Sequence, residues 1–389
     1  MASDVARQYL ERLQEAVYAA LGKPPPAAEA EARRKSMEGF LQRATEAGAV
    51  SPEALEALRA TLDPGPQGAG RGAVPTRFED PVLYGLLVKL ADEVESAATA
   101  LSLPLPPRPL LGTLPTGQVN AMTVLVPGTS EHLVIFESQL FLFALLFSKA
   151  VVRALPFERD GDGWVRFSAE QAQVRSNIEQ DREVLQRFLE VLLAYVVHGA
   201  PAAAPQYFPP EPYQSFAAIL RDSMELFVLG HEYGHIIEGH LGMTTKSAAL
   251  LGDQEVDRVT YSWQQELEAD KWGLQLMIPA MQRSRQVDLG LSFWGADFFF
   301  SSVDVVRKAI AVLRTGREET VSLESHPPPD VRREVVRRVL ASSLPDDAAN
   351  GAISLGKMLE TVIGHLWTLA RPSFQRLHEQ GGRPSASWG

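Results

Sequence analysis

Apolar residues along most of this chain recur at three- and four-residue spacings with charges interleaved, as in amphipathic helices packed on a common core. Three Pro/Gly-rich stretches interrupt this pattern and mark joints between helical segments. The clearest strand signals are VNAMTVLV from Val119 and HLVIFE from His132, which flank Pro127-Gly128 and predict a β-hairpin. The sequence therefore predicts a mainly α-helical, α+β fold with a small sheet.

The Pro/Gly-rich joints also suggest a division of the chain into regions. Residues 1–75 are predicted to be an N-terminal helical extension that ends in a linker. Residues 76–372 should form the main domain, with a helical insertion around residues 150–212. Residues 373–389 are predicted to be a flexible C-terminal tail.

Composition limits the classes of function. The chain is 45% hydrophobic and 22% charged, which is typical of a folded protein rather than a disordered one. Its formal net charge of −11 argues against a general nucleic-acid binder, because such proteins need a basic surface. It has no cysteine, so any metal site must use nitrogen and oxygen ligands.

No stretch of the sequence predicts a signal peptide or a membrane span. Asp4, Glu11 and Glu15 interrupt the apolar residues of the N-terminal helix. The most apolar stretch, residues 133–152, contains Lys149, and its uncharged part is too short to cross a bilayer. We expect a soluble, cytoplasmic protein.

The strongest chemical signal is HEYGH, which matches H-E-x-x-H. On a helix this spacing puts His231 and His235 one turn apart on the same face, where two imidazoles bind one metal ion. Glu232 lies beside them as a general base. Gly230 and Gly234 indicate a backbone or a substrate close to this helix, although ordinary tight helix packing explains them equally.

A catalytic zinc site usually has a third protein ligand. The metzincin spacing is disfavoured, because Glu238 occupies its glycine position and His240 comes one residue too early. A glutamate from a second helix is the other common solution, and QQELEAD supplies Glu266 as the ligand and Asp270 one turn later. Asp270 would hydrogen-bond the outer nitrogen of a ligating histidine. Without the upstream motif, this stretch would be read as a solvated acidic face.

These residues resemble the gluzincin group of HtpX heat-shock proteases and CAAX prenyl proteases. The matching features are Asn120-Ala121 before the hairpin, HEYGHIIEGH, the E-x-x-A-D signature from Glu266 to Asp270, and His326-Pro327 followed by Arg332. The resemblance covers roughly residues 80–345. The best-known members are membrane-embedded, so their substrates are not carried over to this chain.

The resemblance implies a zincin-like core with one Zn²⁺ per chain. It implies that Glu266 is a zinc ligand and that Asp270 supports the metal ligands without binding the metal itself. It also implies that His326 is a catalytic helper near the substrate. A histidine before a proline run is otherwise usually a loop residue, so both interpretations of His326 stay open.

The sequence thus predicts a zinc metalloendopeptidase in which an extended peptide pairs with the hairpin and Glu232 activates water. One alternative is a helical regulatory or interaction protein that keeps the zinc scaffold without turnover. The other is a latent protease, covered by its Pro-rich segments or N-terminal helices until a partner moves them. The expected partners are a protein or peptide substrate and, for the latent form, a regulatory protein.

Overall fold

A computed structural model of the chain describes most of its residues. The described residues are 3–46, 48, 74–103, 105–116, 121–159, 161, 165–168, 170–242, 245–251, 254–260, 262–318 and 327–388.

Helices make up most of the described chain, in agreement with the predicted mainly α-helical fold with a small sheet. They are α1 (Asp4–Ala20), α2 (Ala30–Glu46), α3 (Pro81–Ala100), α4 (Ser138–Val152), α5 (Gln171–Gln180), α6 (Arg182–Val196), α7 (Tyr213–Ile237), α8 (Trp263–Arg285), α9 (Leu289–Thr315), α10 (Pro329–Ser343) and α11 (Asp346–Glu379). Short 3-10 turns are formed by Pro26–Glu29, Pro201–Ala203, His240–Gly242 and Ala386–Trp388.

The described strands form one three-stranded sheet and two separate antiparallel ribbons. They are β1 (Leu110–Leu114), β2 (Ala121–Leu125), β3 (His132–Glu137), β4 (Phe157–Arg159), β5 (Val165–Phe167), β6 (Thr245–Leu251) and β7 (Gln254–Thr260). The predicted hairpin is confirmed, since β2 pairs antiparallel with β3 and Thr123 lies opposite Val134. The sequence pattern does not predict β1, which follows a Pro-rich stretch and pairs parallel with β3. The sheet is therefore mixed, in the order β1-β3-β2.

Local sequence signals set the ends of α8 and α9. Ser262 caps α8 in a capping box, in which its side chain accepts from the backbone N–H of Gln265 and the Gln265 side chain reaches back. Asp288 caps α9, and Gly316 ends that helix at φ 77°, a left-handed conformation that favours glycine.

Helix α7 lies at the centre of the main hydrophobic core. It packs against α3, α4, α8, α9 and β2. The backbone of α9 lies directly on α7, because a Cβ at Gly295 would be 2.3 Å from the carbonyl carbon of Ser223. Elements on several sides therefore hold α7 in place, which fixes the position of any side chain it presents.

Helix α1 forms a second hydrophobic core on one face of the sheet. Its Leu10 and Leu13 pack with Leu133 and Ile135 of β3, while the alternate residues of β3 belong to the main core. A Cβ at Gly112 would be 2.7 Å from Leu10, so a glycine in β1 lets the helix approach the sheet closely. This part of the N-terminal extension is therefore integral to the fold around the sheet.

The predicted flexible tail over residues 373–389 needs correction. Helix α11 continues through this boundary to Glu379, and its Phe374 is fully buried. Beyond the helix, the Trp388 ring packs on Tyr195 with centroids 5.0 Å apart, and its Nε1 donates to the Tyr195 carbonyl. Apolar packing on both sides of the helix end orders this segment against α6.

The region around residues 150–212 is also part of the main core. It contains the β4–β5 hairpin, α5 and α6, and it contributes the buried side chains of Val184, Phe188 and Leu192. Helix α6 packs against α4, α9 and α11. The region therefore supports the helical body on these sides.

Among the described helices, α9 is the one that is long and apolar enough to cross a membrane, with 72% of its most apolar window buried inside the fold. Buried core helices of soluble proteins have the same length and composition. The cytoplasmic location stays a prediction.

A buried carboxyl group joins α1 to the sheet. Glu79 Oε1 accepts from Gln14 Nε2 at 2.5 Å and from the Thr113 N–H at 3.0 Å, and Glu79 Oε2 lies 2.6 Å from Thr113 Oγ1. Burial raises the pKa of Glu79 from 4.5 to about 7, although the hydrogen bonds oppose this rise. The folded protein therefore binds more protons at Glu79 than the unfolded chain between these two values.

We predict that Glu79 makes the free energy of unfolding fall by roughly 3 kcal/mol as pH rises from about 4.5 to about 7, because the native state must lose its excess proton. Glu79→Gln should remove this component. The measurement is urea unfolding of wild type and variant between pH 4.5 and 8. Exposed Glu38→Gln is the control and should keep the wild-type slope. Equal pH slopes for wild type and Glu79→Gln would contradict the prediction.

Candidate metal centre

The two histidines of the sequence motif face each other from successive turns of α7. Their Nε2 atoms are 3.1 Å apart, and the side chains of His231 and His235 are buried. The helical spacing inferred from the sequence therefore holds over this motif, which lies near the C-terminal end of α7.

Helix α8 passes very close to this part of α7. A Cβ at Gly234 would be 2.9 Å from the Cα of Ala269, and one at Gly230 would be 3.1 Å from the Cα of Gly273. The two glycines thus accommodate a neighbouring backbone, and that backbone belongs to the helix that carries Glu266. Any larger residue at these positions would push the two helices apart.

Glu266 completes a buried three-residue group with the histidines. Its carboxylate oxygens lie 3.7 Å from His231 Nε2 and 3.8 Å from His235 Nε2, and the residue is 1% exposed. One ligand atom from each residue falls within 4.8 Å of the others. Ligand atoms around a tetrahedral zinc ion are about 3.4 Å apart, because zinc bonds to nitrogen and oxygen are about 2.0–2.2 Å long. This His231–His235–Glu266 group is able to bind a metal ion.

Asp270 lies directly behind His231. Its Oδ1 is 3.0 Å from His231 Nδ1. An ionised Asp270 accepts a hydrogen bond from His231 Nδ1, which must then carry the proton. The lone pair of His231 is left on Nε2, directed toward His235 and Glu266. This is the position that the sequence predicted for Asp270. Burial opposes ionisation, but the charge and hydrogen bonds of Arg332 outweigh it and lower the Asp270 pKa.

Arg332 enters the site from the first turn of α10. It donates to both oxygens of Asp270, at 2.8 and 2.6 Å, and its Nη1 lies 3.4 Å from Glu266. The guanidinium also stacks over the Phe300 ring at 5.2 Å. The sequence marked Arg332 only as part of a weak motif, whereas the structure places it against two carboxylates of the site.

The two histidines differ in their electrostatic surroundings. Burial lowers the pKa of His235 to about 2, and the neighbouring His231 adds to this effect. Burial also opposes the protonation of His231, but its contact with Asp270 more than compensates and raises its pKa. His235 is therefore neutral, which is the protonation state of a metal ligand.

Glu232 is held by the sheet. Thr123 Oγ1 on β2 lies 2.7 Å from Glu232 Oε2 and 3.2 Å from the Glu232 carbonyl oxygen. Glu232 itself is 4% exposed. Sequence reasoning did not single out Thr123, although the alternation of β2 places it on the face opposite Val124, which packs with α1.

Two features of the predicted site lie outside the described residues, as does most of the linker predicted at the end of residues 1–75. His326 is one of them, so its role as a catalytic helper stays a prediction. Asn120 is the other, and β2 begins at the next residue, Ala121. Of the remaining predicted site residues, the structure brings together His231, His235, Glu266 and Asp270, with Glu232 adjacent on α7.

Comparison with protein-family models, with curated proteins and with solved structures finds no match to this chain. Its function must therefore be inferred from the geometry and chemistry of the site.

The close approach of α7 and α8 leads to a testable consequence. We predict that Gly234→Ala lowers the free energy of unfolding by about 1–3 kcal/mol, because the methyl group meets backbone atoms that cannot rotate away. It should also weaken metal retention, since α8 carries Glu266. Denaturant unfolding and metal analysis after dialysis measure the two effects.

Gly364→Ala is the matched control. Nothing lies within 4 Å of a Cβ at this position in α11. Alanine there should increase stability by up to about 1 kcal/mol, because it favours the helix over glycine. Wild-type stability and metal retention in Gly234→Ala would show that the close approach is not required.

Proposed function

We propose that this protein is a zinc-dependent metalloendopeptidase with a zincin-like core, related to the HtpX and CAAX prenyl protease group. The observation that carries the proposal is the buried His231–His235–Glu266 group with Glu232 adjacent on the same helix. A second support is Asp270, which lies at hydrogen-bond distance behind His231. The same residue types in the same order define the gluzincin signature that the sequence resembles.

His231, His235 and Glu266 would hold the zinc ion through nitrogen and oxygen atoms. Zinc is favoured because imidazole and carboxylate ligands at these separations suit a tetrahedral ion. When bound, it supplies Lewis-acid polarisation of a scissile carbonyl group.

Glu232 is the proposed general base. Its carboxylate accepts a proton from the water that attacks the peptide carbonyl, and it later delivers a proton to the amine nitrogen as the C–N bond breaks. Thr123 Oγ1 orients this carboxylate through the 2.7 Å contact with Oε2. The sheet and α7 therefore fix the base relative to the two histidines.

The substrate is proposed to be an extended peptide that adds to the edge of the sheet. Strand β2 lies at the outer position of the β1-β3-β2 sheet and packs against α7. Backbone hydrogen bonds to this strand would align a peptide beside Glu232 without requiring a particular side chain.

The latent-protease alternative requires a segment that covers the site, and the fold bears on whether α1 is that segment. Helix α1 packs on the sheet face that contains Val124, whereas Thr123 contacts Glu232 from the other face. Helix α1 therefore does not lie between β2 and the proposed base. Whether another part of the N-terminal region or a Pro-rich segment covers the site stays a prediction.

Metal content tests the ligand set. We predict about one zinc per chain in wild type after dialysis against metal-free buffer, and clear loss in Glu266→Ala, because the variant keeps only two ligands. Elemental mass spectrometry gives both values. Glu379→Ala, an exposed glutamate at the end of α11, should retain zinc like wild type. Folded wild-type protein without metal would rule out the metallopeptidase.

Peptide cleavage tests the base. We predict that Glu232→Gln lowers turnover by roughly 10²–10⁴-fold, because the amide cannot accept the proton, while bound zinc is unchanged. Cleavage of an unstructured protein such as casein, followed by mass spectrometry, measures this loss. Exposed Glu238→Gln, which makes the same chemical change beyond the end of α7, should remain active.

The outcomes separate the alternatives. Full activity in Glu232→Gln would refute the mechanism. Zinc binding without cleavage of any tested protein would favour the regulatory scaffold instead.

A further inference from the structure

A third histidine, His240, lies behind His235, on the side away from Glu266. The chain turns back just after α7 at Gly239, whose φ of 66° is the left-handed conformation that glycine adopts easily. This turn buries His240 to 1% exposure and brings its Nδ1 to 3.0 Å from His235 Nδ1. His240 is thus placed at the nitrogen of His235 that does not face the metal group.

Glu268 of α8 contacts the other nitrogen of His240. Its Oε2 lies 3.1 Å from His240 Nε2, and its Oε1 accepts from Gln264 Nε2 at 2.8 Å. Glu268 is two residues from both Glu266 and Asp270, so it points to a different side of α8 from these two residues. The turn at Gly239 brings His240 across to it.

For a neutral His240 beside an ionised Glu268, these two contacts fix where the protons lie. An ionised carboxylate only accepts hydrogen bonds, so Glu268 requires a proton on His240 Nε2. A neutral His240 then has a lone pair on Nδ1, which accepts the Nδ1–H of His235. The lone pair of His235 is left on Nε2, the atom that lies 3.1 Å from His231 Nε2.

We propose that Glu268 and His240 are positioning residues that hold His235 in the tautomer able to bind the metal. This inference deepens the proposed function and depends on its metal site. His231 receives the same support directly from the Asp270 carboxylate, whereas His235 receives it from Glu268 through an intervening imidazole. Removing a carboxylate that hydrogen-bonds a metal-ligating histidine typically lowers metal affinity about 10- to 100-fold.

The hydrogen-bonded series from Glu268 through His240 to His235 is called the relay below. It leads to a prediction that depends on the direction of these hydrogen bonds. Glu268→Lys replaces an acceptor with a donor, so His240 would carry its proton on Nδ1 and meet the Nδ1–H of His235. His235 could relieve this only by moving its proton to Nε2, which removes the ligand lone pair. Glu268→Lys should therefore weaken zinc binding more than Glu268→Ala.

The zinc dissociation constant, measured by competition with a chromogenic chelator, tests the relay on the full chain. We expect Glu268→Ala to weaken binding about 10-fold and Glu268→Lys closer to 100-fold. Glu268→Gln keeps an acceptor oxygen and should restore nearly wild-type affinity. Gln264→Lys is the charge control, because it adds an ammonium group one turn away but keeps the carboxylate. At 31% side-chain exposure, Glu268 tolerates such changes without disturbing the core.

Histidine ¹⁵N spectra of the zinc-loaded protein give a second measurement that a purely structural role would not change. We expect His240 to carry its proton on Nε2 and His235 on Nδ1 in wild type, with the His240 tautomer reversed in Glu268→Lys. His240→Asn, which keeps an acceptor oxygen near the Nδ1 position, should bind zinc more tightly than His240→Leu.

The outcomes distinguish this inference from the proposed function. Tight zinc binding with the same affinity across the Glu268 series, or a proton on His240 Nδ1 in wild type, overturns the relay and leaves the metallopeptidase intact. Absence of zinc binding in folded wild type overturns both.

Discussion

The contact between the backbones of α7 and α8 is the constraint on which the site depends. Gly230 and Gly234 lie against Gly273 and Ala269, so no side chain separates the two helices at the level of the histidines. The glutamate on α8 thereby comes within 4 Å of both imidazoles. Glycine is costly in a helix interior, and its presence here is explained by the close approach of the α8 backbone.

The sheet has a complementary role, because it contacts Glu232 rather than the three residues of the His231–His235–Glu266 group. Thr123 of β2 contacts Glu232, while the opposite face of the same sheet rests on α1. The position of β2 therefore depends on the second core and on the buried Glu79 network between α1 and β1. The sheet thus connects the packing of the N-terminal helix to the orientation of a residue in the main core.

The sequence predicted the parts of the site that depend on local periodicity. The spacing of His231 and His235 and the one-turn separation of Glu266 and Asp270 follow from helix geometry alone. Residues brought in by tertiary packing were not predictable in the same way. In the sequence Thr123 is one threonine of a strand, and only the packing of β2 against α7 brings it to Glu232. Strand β1 lies next to prolines, and only its pairing with β3 identifies it.

The limits of the domain prediction have a similar origin. Pro/Gly-rich stretches show where helices end, but they do not show whether the pieces pack together. The amphipathic pattern of α1 is equally compatible with a separate helical module and with a helix that packs on a sheet. The structure decides between them, because the apolar face of the sheet packs against α1. Pro372, near the predicted start of a flexible tail, lies inside α11, and the helix continues past it with Phe374 buried.

The charges around the His231–His235–Glu266 group give a separate physical argument for the proposed divalent cation. Three buried carboxylates, those of Glu232, Glu266 and Asp270, lie near Arg332, whose guanidinium contacts Asp270 and Glu266. With both histidines neutral and the carboxylates ionised, these groups carry an excess of two negative charges. Such an excess is expensive to bury, and a proton on His231 would remove only half of it. A divalent ion between the two Nε2 atoms and Glu266 would neutralise it, so the charges of these residues support the metal site proposed above.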